Sequence, residues 1–175
     1  MTRGAYQSGR SSGATLPKAG SLTFGSAPDS GTSFDLGAIS VVAGDAPRPS
    51  AFLADPGRAA LSLLDSTLTL SADKLNASQL GSLTLYATSD IGLAQGATLV
   101  LAPGGAFKAY AIGGNISALG SITAHGGTIQ MAAVQGNGKR GDLTLGSQAV
   151  LDASGMWADD RAANLFATPA AALVA

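Results

Sequence analysis

The densest group of carboxylates in the sequence is Asp159-Asp160, with Asp152 shortly before it and Arg161 directly after. Two carboxyl groups facing one sugar linkage can cleave it, one as general acid and the other as nucleophile or base. Asp152, Asp159 and Asp160 are therefore the candidate acids of a polysaccharide-cleaving reading. Such a site needs acidic residues at equivalent positions of one face. Spacing alone does not put Asp90, Asp142 and Asp152 in register. The plain alternative is a solvated loop after Gly155-Met156-Trp157, with Trp157 stacking on a sugar or packing an end.

Arg140-Gly141-Asp142 is the tripeptide that integrins recognise on a protruding loop, and Gly136-Asn137-Gly138-Lys139 before it suits a mobile one. The alternative is that Asp142 opens a strand at Leu143-Thr144-Leu145 and the tripeptide is chance. Gly136, Gly138 and Gly141 also spell G-x-G-x-x-G. A dinucleotide site requires a helix after those glycines. The residues after Gly141 read as strand instead, so no cofactor is expected.

His125 is the single histidine and cysteine is absent, so disulfides, thiol catalysis and a transition-metal site are not expected. His125 lies between Ala124 and Gly126-Gly127 and reads as an exposed turn residue. Asn76-Ala77-Ser78 and Asn115-Ile116-Ser117 match the N-glycosylation sequon; in a bacterial chain they stay unmodified.

The elements that must hold these residues are short. Thr67-Leu68-Thr69-Leu70-Ser71 alternates apolar and polar, as a half-buried strand does. The pattern recurs at Ser82-Leu83-Thr84-Leu85, Thr98-Leu99-Val100-Leu101, Ser121-Ile122-Thr123-Ala124, Thr128-Ile129-Gln130-Met131 and Asp142-Leu143-Thr144-Leu145. Weaker copies stand at Lys74-Leu75-Asn76, Ile91-Gly92-Leu93, Phe107-Lys108-Ala109-Tyr110, Asn115-Ile116-Ser117 and Ala149-Val150-Leu151. Nearer the N-terminus, alternations stand at Leu22-Thr23-Phe24, Phe34-Asp35-Leu36 and Ile39-Ser40-Val41-Val42. Asp55-Pro56-Gly57 can cap a short helix over 58–64, with an irregular edge strand as the alternative.

The leading apolar positions Ile91, Leu99, Phe107, Ile116, Ile122 and Ile129 fall 8, 8, 9, 6 and 7 residues apart. Three such steps make a coil of roughly twenty-odd residues, the scale of a solenoid repeat. Segments this short suit one face of a coil better than a sandwich or an up-and-down barrel. The fold expected is all-β, a right-handed parallel β-helix with pectate-lyase-like coils and an irregular N-terminal part. Residues 1–20 read as disordered or irregular, 21–66 as irregular β with a proline-rich loop, 67–160 as β-helix coils and 161–175 as a frayed or truncated end.

Composition agrees. Hydrophobic residues are 46% and aromatics 5%, which suits a thin core of Leu, Ile, Val and Ala. Charged residues are 12%, about half the usual share. With net charge −1 the chain lacks the clustered cations that nucleic acid requires. No apolar run reaches the ~18 residues of a transmembrane helix, so membrane insertion is not expected, and no signal-peptide core follows Met1, so if the protein is exported its signal lies outside this chain.

Gly81-Ser82-Leu83-Thr84-Leu85-Tyr86-Ala87, Asp90-Ile91-Gly92-Leu93 and Gly96-Ala97-Thr98-Leu99 together resemble the repeat region of filamentous haemagglutinin-like exoproteins. So do Gly114-Asn115-Ile116, the run from Gly120-Ser121-Ile122 to Thr128-Ile129, and Leu145-Gly146-Ser147-Gln148-Ala149-Val150-Leu151-Asp152-Ala153-Ser154-Gly155. The resemblance spans about residues 65–160 and is one of repeat style. It implies an internal segment of a large bacterial protein exported by two-partner secretion. The family's Asn-Pro-Asn secretion motifs are missing from this sequence. The implied role is structural, at the cell surface or outside the cell, in adhesion and without enzymatic activity. The implied partners are an outer-membrane transporter for the full-length protein and a host-surface receptor or glycan. The alternatives are a polysaccharide lyase or hydrolase and a carbohydrate-binding module built on Thr/Ser ladders.

Overall fold

A computed structural model of the chain describes residues 19–27, 37–45, 67–136 and 138–155. These residues form a β-solenoid of about four turns, built of parallel sheet. The first sheet stacks β1 (Ser21–Phe24), β4 (Ser82–Ala87), β7 (Ala106–Ile112) and β10 (Thr128–Val134), in that order. The second stacks β3 (Thr67–Ser71), β2 (Ala38–Val42), β5 (Ile91–Leu93), β8 (Ile116–Ala118) and β11 (Leu143–Leu145). The third stacks β6 (Thr98–Val100), β9 (Ser121–Thr123) and β12 (Val150–Asp152). One strand from each sheet makes a coil: β4-β5-β6 is the second, β7-β8-β9 the third and β10-β11-β12 the fourth.

The alternation seen in the sequence is what closes the core. Leu83 and Leu85 of β4 point inward and pair in register with Phe107 and Ala109 of β7. Ile39, Ile91 and Ile116 stack through the second sheet, and Leu99 and Ile122 through the third. All are nearly fully buried. The thin interior has room for one or two such side chains per face, which is why aromatics are scarce.

Glycines turn the corners. Gly81, Gly105 and Gly127 stand above one another between the third sheet and the first. A Cβ on Gly127 would lie 1.9 Å from the carbonyl oxygen of Gly105. At the next corner a Cβ on Gly141 would lie 1.8 Å from the carbonyl oxygen of Gly114. These coils approach too closely for any side chain.

Two features depart from the sequence reading. Strands β1 and β2, within the stretch read as irregular, pair in register with β4 and β5 and belong to the stack. Lys74-Leu75-Asn76, expected as a strand, lies in a short helix, α1 (Ala72–Ala77). Ser71 caps it by accepting from the Lys74 amide at 3.3 Å, and Asp73 sits in its positive first turn. The Ser71 hydroxyl in turn donates to the Gly44 carbonyl, tying the helix start to the end of β2. Helix α1 lies against β6, in the place a third-sheet strand of the first coil would take. Phe34-Asp35-Leu36 and the 58–64 segment lie outside the described residues.

Candidate functional site

Three sets of polar or aromatic side chains are gathered by coil stacking. The first is an Asx ladder at the corner that leads into the second sheet. Asp90, Asn115 and Asp142 each precede a second-sheet strand, and their neighbours Ile91, Ile116 and Leu143 are in register. The Asn115 amide N–H donates to Asp90 Oδ1 at 2.7 Å, and the Asp142 amide N–H donates to Asn115 Oδ1 at 3.0 Å. Asp90 and Asp142 therefore do share a register, with an asparagine between them. The ladder is structural: Asp90 and Asn115 each hold, through a side-chain oxygen, the backbone of the coil above.

This ladder decides how Arg140-Gly141-Asp142 is presented. The hairpin tip is at Gly138, closed by the pairing of Gly136 with Lys139. The tripeptide leaves that hairpin and descends into β11. Gly141 is wedged against Gly114, and the Asp142 backbone is bonded on both sides, its carbonyl accepting from the Ile116 amide at 2.8 Å. Arg140 and Asp142 are exposed, but on a rung of the coil and not on a free loop. No helix succeeds the glycines of the G-x-G-x-x-G string; β11 does.

The second set joins the third coil to the fourth. His125 Nε2 lies 2.9 Å from Asp152 Oδ2, and the Ser154 amide donates to Asp152 Oδ1 at 2.9 Å. Hydrogen bonds from the Ser154 side chain and backbone, then from His125, hold the Asp152 carboxyl at about 2. That is the reverse of what a general acid in glycoside hydrolysis requires, which is a carboxyl pushed up so that it keeps its proton. Ser154 bonds to Asp152, with no bond to His125 to strip its proton, so the three do not form a nucleophilic relay. Asp159 and Asp160 lie outside the described residues. Among the described residues no three of His, Asp and Glu converge as metal ligands would.

The third set is aromatic and escaped the sequence reading. Tyr86 and Tyr110 are register partners on the outward face of the first sheet. Their rings stack with centroids 5.1 Å apart and planes 12° from parallel. The signal was a spacing of 24 residues, one coil, between two tyrosines at polar positions of their strands.

Both sequon asparagines are structurally engaged. Asn115 belongs to the Asx ladder. Asn76 Nδ2 donates to the Thr98 carbonyl at 2.8 Å and its Oδ1 accepts from the Val100 amide at 2.8 Å. A glycan on either nitrogen would break these contacts. A shallow cleft of about 380 Å³ beside Asn76, lined also by Gln79, Val100, Leu101, Ala102 and Pro103, holds no titratable side chain. A second, of about 450 Å³ along 102–106, holds none either.

Comparison with protein-family models, with curated proteins and with solved structures returns no match.

Proposed function

We propose that this chain is a structural segment of a longer β-solenoid, exported to the bacterial surface or beyond it, with a role in adhesion. The repeat style likens it to filamentous haemagglutinin-like exoproteins, and the reading takes an outer-membrane transporter as its export partner and a host-surface receptor or glycan as its target. One observation carries it. The inward residues of the fourth coil, Leu143, Leu145 and Leu151, are 47%, 52% and 37% exposed. Their partners one coil below, Ile116, Ala118 and Ile122, are at most 2% exposed. Among the described residues nothing pairs with the outer edges of the fourth coil, and its inward leucines form a core cross-section, the kind of surface on which another coil stacks. The Asp142 carboxylate stands where Asp90 and Asn115 stand below it, as an acceptor for the next rung.

The test is antibody labelling of intact cells of the source bacterium. Surface labelling that is lost when the proposed outer-membrane transporter is deleted, together with weaker adherence of a strain lacking the gene, is the expected result. Labelling only after permeabilisation overturns the proposal.

A further inference from the structure

We propose that Tyr86 and Tyr110 are a site of oxidative modification, coupled by one-electron oxidation into a dityrosine that joins the second coil to the third. This rests on the ring geometry and is independent of the stalk reading.

Register sets up the pair. Tyr86 of β4 and Tyr110 of β7 are direct partners on parallel strands. The positions on either side, Leu85 with Ala109 and Ala87 with Ala111, are buried and hold the two strands together. The rings therefore stay neighbours for as long as the second coil stays on the third. Their centroids are 5.1 Å apart and their planes 12° from parallel, so the stack keeps the two phenols side by side on the outward face. Both residues are half-buried, which leaves each within reach of an oxidant in solution. Competing reductants are few. The chain has no cysteine to repair a phenoxyl radical, and Met131 packs against the core.

The oxidant is hydrogen peroxide, delivered one electron at a time by a haem peroxidase. Each phenol gives up one electron and its hydroxyl proton. The two phenoxyl radicals join through one ε carbon of each ring, and those carbons then pass their hydrogens to the oxygens. One C–C bond forms and two C–H bonds break. Hydrogen peroxide takes up the two electrons and two protons and leaves as two waters. Radicals held side by side couple without a diffusional encounter, the advantage of any oriented pair. A tilt of each ring about χ1 and χ2 brings the ε carbons together while the backbone register stands. Tyr86 and Tyr110 are 24 residues apart, one coil, and a cross-link closing such a loop removes freedom from the unfolded chain.

The test treats the dilute full chain with hydrogen peroxide and a haem peroxidase. Trypsin cuts after Lys74, Lys108 and Lys139, so the two tyrosines fall in separate peptides, 75–108 and 109–139. The expected product runs as a monomer on a denaturing gel, emits dityrosine fluorescence and yields those peptides as one joined species, lighter than their sum by two hydrogen atoms. It melts roughly 5 °C or more above the untreated chain. Tyr86→Phe and Tyr110→Phe each keep a ring in the stack and the parent's melting temperature, and each loses the product. Tyr6→Phe, at the remaining tyrosine, leaves the yield unchanged. The proposal is overturned if no dityrosine forms, if it forms only between chains or with Tyr6, if either folded Phe variant gives the intramolecular product as the parent does, or if the cross-linked chain melts no higher than the untreated one.

Discussion

Asn76 closes the edge of β6 by accepting the Val100 amide at 2.8 Å while its Nδ2 donates across to the Thr98 carbonyl at 2.8 Å. One side-chain amide reproduces both bonds that a strand of the first coil would have made. Without it the β6 edge is open, and an open edge is a template for a second chain. Asn76→Ala is expected to cost about 1 kcal/mol, since the freed groups are partly reachable by water. It should also raise the rate of thioflavin-positive aggregation. Urea titration and an aggregation time course check the two effects. Asn76→Asp keeps the acceptor and loses the donor, so it should fall between parent and Asn76→Ala in both.

Close coil contact makes some glycines indispensable and leaves others free. Gly127→Ala forces a methyl group to within 1.9 Å of the Gly105 oxygen. The third and fourth coils must part there, at a cost of about 3 kcal/mol or more. Gly92, in the middle of β5, has nothing within 4 Å of its Cβ position and no positive φ. Gly92→Ala is expected to stabilise by about 0.5 kcal/mol, as alanine does over glycine inside a regular element. Denaturant midpoints of the two variants should therefore move in opposite directions.

The core was legible because strands with one buried face alternate, and each of the short apolar runs from Ser82 to Leu151 became a strand. Helix α1 was not legible in that way. Leu75 between Lys74 and Asn76 fits strand alternation as well as it fits one buried helical turn, and the deciding signal was the Ser71 cap. The gathered side chains were harder still. Asn115 comes three positions after Ile112, but Asp142 comes eight positions after Val134, although Ile112 and Val134 are register partners. The hairpin at Gly136–Lys139 absorbs the difference. Unequal coils hide ladders from any fixed-period reading, so Asp90, Asn115 and Asp142 met only in three dimensions. Tyr86 and Tyr110, on two coils of nearly equal length, were within reach of it.

Among the described residues no coil stacks on the fourth, so side-chain truncations should cost unevenly along the stack. Ile122 is fully buried with a coil on either side, and Ile122→Ala is expected to cost about 4 kcal/mol. Leu145 occupies an inward position too, but at 52% exposure it has neighbours below and few above. Leu145→Ala should cost less than about 1 kcal/mol, in proportion to the smaller area it keeps from water. Thermal melts of both variants measure the gradient. If a longer chain supplied a further coil, Leu145→Ala in that chain should become as costly as Ile122→Ala.

The clip between His125 and Asp152 sets a pH dependence for the attachment of the fourth coil. The Asp152 carboxyl is held at about 2, below its ordinary value of 3.8, first by Ser154 and then by His125. A carboxyl whose folded value is depressed contributes stability that is complete above its unfolded value and disappears as pH falls through the folded one. The contribution of Asp152 should therefore be intact at pH 5 and should drain away between about pH 4 and pH 2, the window set by those two values. Asp152→Asn keeps the shape and cannot ionise. The parent should melt higher than Asp152→Asn at pH 5, and the gap should close by pH 2. Amide exchange in β12 should quicken over the same window in the parent alone. A gap that stays constant with pH would mean that packing around the side chain, and not its charge, joins the two coils.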